Sequence, residues 1–326
     1  MSIYKSFSRF SLQSCLKKRQ GFSLQSGLVK KLSFVFICGS MFSQSTINQF
    51  LTPSDTLNHT RLKGVYITQT ALLTSSLIGL NQLWYADYQR SSFHFKNDNN
   101  QWLQLDKLGH LYSSFHLAAT GANTLKWAGA SQKQQLIIGT STALGFLTAV
   151  EVFDGFSTKW GASFGDVLAN TTGAALFVSQ QLLWSECRIV PKFSYQKSNF
   201  PSIRPDVFGN TLTSQILKDY NAQTYWLSAN IHSFIKLNFV PVWLNFAIGY
   251  GGANMLFSTK KDALANGVVQ NEYRQFYLSF DVDLTKIKTK SPFLKTVFSV
   301  FNTLKIPAPT LQLNANRHTR GYLFYF

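Results

Sequence analysis

Three short stretches hold most of the side chains able to do chemistry. DKLGH places Asp106 and His110 four residues apart, one helical turn on a common face, with Lys107 beside them. EVFDG places Glu151 and Asp154 three apart. SFGDVLAN offers Ser163 as a helix N-cap, Asp166 three residues on as in a capping box, and Asn170 one turn later. Carboxylates and an imidazole together suit a divalent cation, with Asp106, His110, Glu151 and Asp166 as the ligand candidates. They also suit proton transfer, with His110 as general acid or base oriented by Asp106 or Glu151. A plainer role is helix capping, with Lys107 pairing a carboxylate to fix the angle between helices.

These residues need elements to gather them. Four apolar segments of helical length run over about 64–88, 106–128, 132–153 and 164–184. Short connections make successive helices antiparallel neighbours. The end of the third helix, the start of the fourth and the start of the second then meet at one end. So Asp106, Lys107, His110, Glu151, Asp154, Asp166 and Asn170 should collect at one mouth, beside the Gly-rich loop 155–162. His116 is six residues after His110 and faces elsewhere, as a packed histidine.

Composition sets the surroundings. Of 326 residues 45% are hydrophobic and only 14% charged, below the roughly 25% of ordinary soluble chains, so a disordered chain is excluded. Gly, Ser and Thr recur in the helical segments, as in close-packed membrane helices. Carboxylates amid apolar helices are costly and mark a function or a buried pair. The net charge of +17 belongs to the two ends, and no zinc-finger or RNP-type motif accompanies it, so no nucleic-acid partner is expected. Cys15, Cys38 and Cys187 form no CxxC pair. Lys30 and Lys31 precede the apolar run Leu32–Cys38 and small residues follow, which reads as a secretory signal within a leader over 1–43.

The predicted fold is mainly α. An antiparallel four-helix, membrane-embedded bundle spans 60–185, a linker spans 186–222, and a smaller β-containing region with an amphipathic helix spans 223–326. In 275–284 Phe276, Leu278 and Phe280 alternate with Gln275, Ser279 and Asp281, giving a strand with one buried or lipid-facing side. Weaker strand signals run over 224–239 and 242–250, and Tyr322, Phe324 and Phe326 alternate at the tail. Residues 291–305 read as a basic amphipathic helix suited to an anionic membrane surface.

The motifs DK-x-GH (106–110), E-x-x-DGFS (151–157), KWGASFGDVLAN (159–170) and TTGA (171–174) resemble an uncharacterised family of predicted periplasmic lipoproteins, the YfiM-like family. They are more distantly similar to VanZ-like membrane proteins, which share an Asp-Lys…His helix, a later Glu and a final Asp…Asn…Gly helix. The resemblance implies placement in the cell envelope and no established reaction. A lipoprotein signal has a small residue before its cysteine, where this chain has Ile37 before Cys38. The expectation is an exported envelope protein whose polar mouth holds a cation or an envelope lipid or cell-wall ligand, with hydrolysis left open. The alternative is a scaffolding protein in which the cluster only locks helices. Membrane lipid is the expected partner, with envelope proteins docking through the C-terminal region.

Overall fold

The computed structural model describes residues 46–86, 88–315 and 318–326. The expected leader and signal over 1–43 lie outside the described residues. Helix α1, His59–Leu80, starts at Asn58, whose side chain accepts the Arg61 amide, and runs on through a π-turn, Asn81–Tyr85. Helix α2 covers Leu105–Trp127, α3 Gln132–Gly155 and α4 Phe164–Trp184. Ser131 and Gln134 form a reciprocal capping box at the start of α3, and the Ser163 hydroxyl accepts the Gly165 and Asp166 amides at the start of α4.

Small residues let α2 touch both neighbours backbone to backbone. A Cβ added at Gly139 of α3 would lie 2.6 Å from the Ala122 amide nitrogen, and one at Gly173 of α4 would lie 2.2 Å from the Leu111 carbonyl oxygen. Around these contacts Phe115, Ala118, Ala122, Leu136, Ala143 and Phe177 form the helical core. Helix α1 buries only Val65 and leaves Ile67, Leu72 and Ile78 exposed.

Six strands follow: β1 Ile189–Tyr195, β2 Gln223–Asn230, β3 Leu244–Ala253, β4 Tyr273–Val282, β5 Ala308–Asn314 and β6 Thr319–Tyr325. They pair in chain order as one antiparallel meander. Helix α5, Leu212–Lys218, lies between β1 and β2, and helix α6, Pro292–Phe301, between β4 and β5. After α6 the chain returns to β1, where Leu304 bridges Phe193. The sheet curls enough for the Tyr325 hydroxyl of β6 to reach Thr224 of β2 and Tyr277 of β4.

This corrects the predicted fold class, a membrane-embedded four-helix bundle with a smaller β-containing appendix. The helical core is α2, α3 and α4 with α1 alongside. Among the described helices only α3 is long and apolar enough to cross a membrane. Helices α2 and α4 turn charged and amide side chains toward their neighbours, which lowers their apolar content. The C-terminal part is a full six-stranded sheet. Its first strand and three short helices occupy the stretch read as a linker. Apolar alternation under-reports this sheet because many of its inward positions are polar: Lys192, Ser194, Ser228, Asn230, Asn245 and Asp281 are all buried.

Candidate functional site

The polar residues of α2, α3 and α4 meet at one end of the helical core. On α2, the Lys107 ammonium lies 2.7 Å from Asp98 Oδ2, 2.7 Å from Asp166 Oδ1 and 3.3 Å from Asp106 Oδ2. At 2.7 Å its contact with Asp166 Oδ1 is a close ion pair of hydrogen-bond length, which supports the charge on both groups. His110 Nδ1 lies 3.0 Å from Asn170 Oδ1. Since that oxygen only accepts, the network assigns the proton to Nδ1 and turns Nε2 toward Asp166 Oδ1 at 3.8 Å. Glu151, 4% exposed, accepts the Ser163 amide at Oε2 over 3.0 Å. Its Oε1 is buried without a hydrogen bond, 3.8 Å from His110 Nδ1. Asp154 stands one turn further along α3, bonded to the Tyr85 hydroxyl at 2.9 Å and outside the direct contacts of the others.

Residues the motifs did not contain complete the centre. Asp98 takes both the Lys107 ammonium and the Ser163 hydroxyl, the latter at 2.6 Å. Tyr220, just after α5, donates to Asp106 Oδ1 at 2.8 Å. Tyr85 lies at the end of the α1 extension. Asp98 belongs to the polar run 97–100, which has no periodicity to mark it, and Tyr220 lies far along the chain. Only the fold brings them in. The loop 155–162 pairs with 90–95 through the Arg90–Ser157 and Phe95–Ala162 bridges and closes over this end. His116 is elsewhere, donating from Nε2 to the Pro191 carbonyl over 2.7 Å, and burial lowers its pKa to about 4.

The approach to Asp106 is strained. Trp102, Leu103 and Gln104 all have positive φ, at 48°, 52° and 66°. Left-handed backbone costs a non-glycine residue about 1–2 kcal/mol. The turn is held by the Trp102 amide on the Ser258 carbonyl, the Tyr250 hydroxyl on the Leu103 carbonyl and the Arg274 guanidinium on the Gln104 side chain.

Acid exceeds base here. Burial lifts Asp154 to about 8, with the negative charge of Glu151 adding to it against the Tyr85 hydrogen bond. Burial also lifts Asp166 to about 7, reinforced by Asp106, and raises Glu151. Burial opposes charge on His110, but Asp106, Asp166 and Glu151 outweigh it and raise its pKa. Burial likewise opposes charge on Asp106, and His110 and Lys107 outweigh it and lower its pKa.

A pH dependence follows. The folded protein keeps a proton on Asp154 up to about 8, where an unfolded aspartate releases it near 3.8. In that window the folded state binds more protons, so stability falls as pH rises. His110 adds the same sign, since a raised imidazole pKa stabilises at low pH and the contribution is lost as pH climbs through the folded value. Urea midpoints should fall with rising pH across this window in the wild type. Asp154→Asn should flatten the slope; an unchanged slope would place the proton uptake elsewhere.

Asp106, His110 and Asp166 can each offer one ligand atom, all within 4.8 Å of one another. Glu151 Oε1 lies 3.8 Å from His110 Nδ1.

Residues 92–181 match the family model described as a predicted periplasmic lipoprotein family, DUF2279, whose function is unknown. The match takes in α2, α3, α4 up to residue 181, the loop 155–162 and every carboxylate of the centre, under a third of the chain. It supports the lipoprotein part of the resemblance; the VanZ-like likeness remains an expectation from sequence. No curated protein and no solved structure matches the chain.

Proposed function

We propose that the chain is a cell-envelope protein whose acid–histidine centre binds a divalent cation through Asp106, His110 and Asp166, with Glu151 close enough to join. The observation that carries this reading is the orientation of His110. Its Nδ1 is committed to Asn170, which leaves Nε2, 3.8 Å from Asp166 Oδ1, as the ring nitrogen that would give up its proton to take an ion. A hydrogen bond on the far ring nitrogen is how metal-ligating histidines are usually oriented. The charges agree: Asp98, Asp106, Glu151 and Asp166 face Lys107 and one histidine, so a cation would neutralise what now requires retained protons. Two carboxylates and an imidazole suit Zn²⁺ or Mn²⁺ better than an all-oxygen ion. The Asp106 side chain, 28% exposed, is the entry point. Cell-envelope placement rests on the family match.

The test is thermal unfolding of the full chain with and without Zn²⁺, Mn²⁺, Mg²⁺ or Ca²⁺, paired with elemental analysis. A ligand at about 100 times its Kd should add about 2.7 kcal/mol. His110→Ala and Asp166→Asn should lose that gain, and Asp154→Asn should keep it. The contrary reading, a cluster that only locks helices, is favoured by the Lys107 ammonium already lying among three carboxylates. If no ion stabilises the wild type while both variants lower its melting point, that reading stands and the cation proposal falls.

A further inference from the structure

The sheet is inverted relative to one in water. Its inner face buries Lys192, Thr224, Ser228, Asn245 and Asp281 around an aromatic cluster of Trp226, Tyr277 and Tyr325. Its outer face carries a side-by-side row, Leu227, Ile248, Leu278 and Leu311, set by the pairings Leu227↔Ile248, Ile248↔Leu278 and Leu278↔Leu311. Phe246 and Phe280 pair beside that row. All six are more than a third exposed, from 39% at Leu227 and Leu278 to 50% at Phe280. Sheets in water turn their apolar side to a core; apolar outside and polar inside is the pattern of strands against lipid.

Two further features identify the apolar medium. A shallow groove of about 350 Å³ crosses this face, lined by Phe246, Leu278, Phe280, Pro309 and Leu311 among others, a shape open to flexible chains. Helix α6 exposes Phe293, Leu294, Val300 and Phe301; the exposed Lys288 and Lys290 precede it and the exposed Lys295 lies on it. Apolar side chains bordered by lysines complement acyl chains under anionic phosphates. The patch is short: from Phe276 to Phe280 a strand rises about 14 Å at ~3.4 Å per residue, roughly half the ~25 Å apolar band of membrane-spanning barrels.

We propose that this outer face, together with the exposed apolar side of α6, seats against the acyl chains of one leaflet of an anionic bilayer, with Lys288, Lys290 and Lys295 lying at the phosphates. The proposal is independent of the cation reading.

The test is site-directed spin labelling of the full chain with Cys15, Cys38 and Cys187 replaced by serine, which also removes any lipid anchor at Cys38. Nitroxides are placed on Ile248→Cys and Leu278→Cys, with the exposed turn position Asn266→Cys as the reference. Phe246→Cys and Leu311→Cys stand in if a label disturbs folding by circular dichroism. In vesicles of phosphatidylcholine and phosphatidylglycerol, oxygen should relax the sheet labels several-fold more than an aqueous nickel chelate does, and the order should reverse at Asn266. Strong relaxation by the chelate at the sheet labels would mean water there and overturn the proposal. Exclusion of both reagents would mean cover by protein, such as a second copy, and overturn it equally. Lys288→Gln/Lys290→Gln/Lys295→Gln should weaken partition into the anionic vesicles several-fold. Equal binding of the wild type to purely zwitterionic vesicles would remove the lysines from the contact.

Discussion

Lys107→Met is expected to cost the helical core about 3–5 kcal/mol, the usual range for removing one partner of a buried ionic contact. The substitution preserves side-chain bulk and helix propensity, so the loss is electrostatic. It strips the ammonium that touches Asp98, Asp106 and Asp166 and leaves three carboxylates facing one another in a nearly closed space. Urea denaturation reads the effect. Adding Asp166→Asn to Lys107→Met should recover part of it by removing one of the stranded charges. A single-variant loss below about 1 kcal/mol, the range of exposed ion pairs, would mean that the carboxylates were already neutral or hydrated.

Asp281→Ala is expected to destabilise the sheet by a similar amount, about 3–5 kcal/mol. Asp281 is fully buried between Lys192, 2.7 Å away, and Lys305, 3.9 Å away, both also fully buried. It further accepts the Ser228 hydroxyl and the Ile306 amide. Burial already pulls Lys305 down to about 8 against the attraction of Asp281. Without the carboxylate, two ammonium groups share a dry interior with Trp226. Asp281→Ala/Lys305→Met should therefore be more stable than Asp281→Ala alone, as measured by near-ultraviolet circular dichroism on heating. If the single variant melts like the wild type, water must reach this interior.

Much of the helical core was legible in the sequence. The segments read over 106–128, 132–153 and 164–184 lie within two residues of α2, α3 and α4 at every end, because their apolar period is long and Ser163 and Gly155 punctuate them. Short connections also gave the convergence of Asp106, His110, Glu151, Asp166 and Asn170. What sequence could not carry was the partners supplied from a distance: Asp98, Tyr85 and Tyr220 have no local pattern tying them to α2. The sheet was the larger miss. Strand β1 contains Pro191 and β5 contains Pro309, residues that demote a strand reading, yet β1 borders the sheet and Pro309 stands near the start of its strand. Phe276, Leu278 and Phe280 were correctly placed on one side, but alternation alone does not say which side faces inward. Here the polar residues do.

The three left-handed residues ahead of α2 have a consequence for dissection of the chain. Their tethers come from Ser258, Tyr250 and Arg274, all in or beside the sheet, while the helix they launch carries Asp106, Lys107 and His110. A fragment ending before β1 would release Trp102, Leu103 and Gln104 to relax into right-handed backbone. The first turn of α2 would then re-register, and the ammonium of Lys107 would swing away from its carboxylates. The C-terminal half thus acts as a clamp on the geometry of the N-terminal one, and a fragment without it should lose the Lys107 contacts.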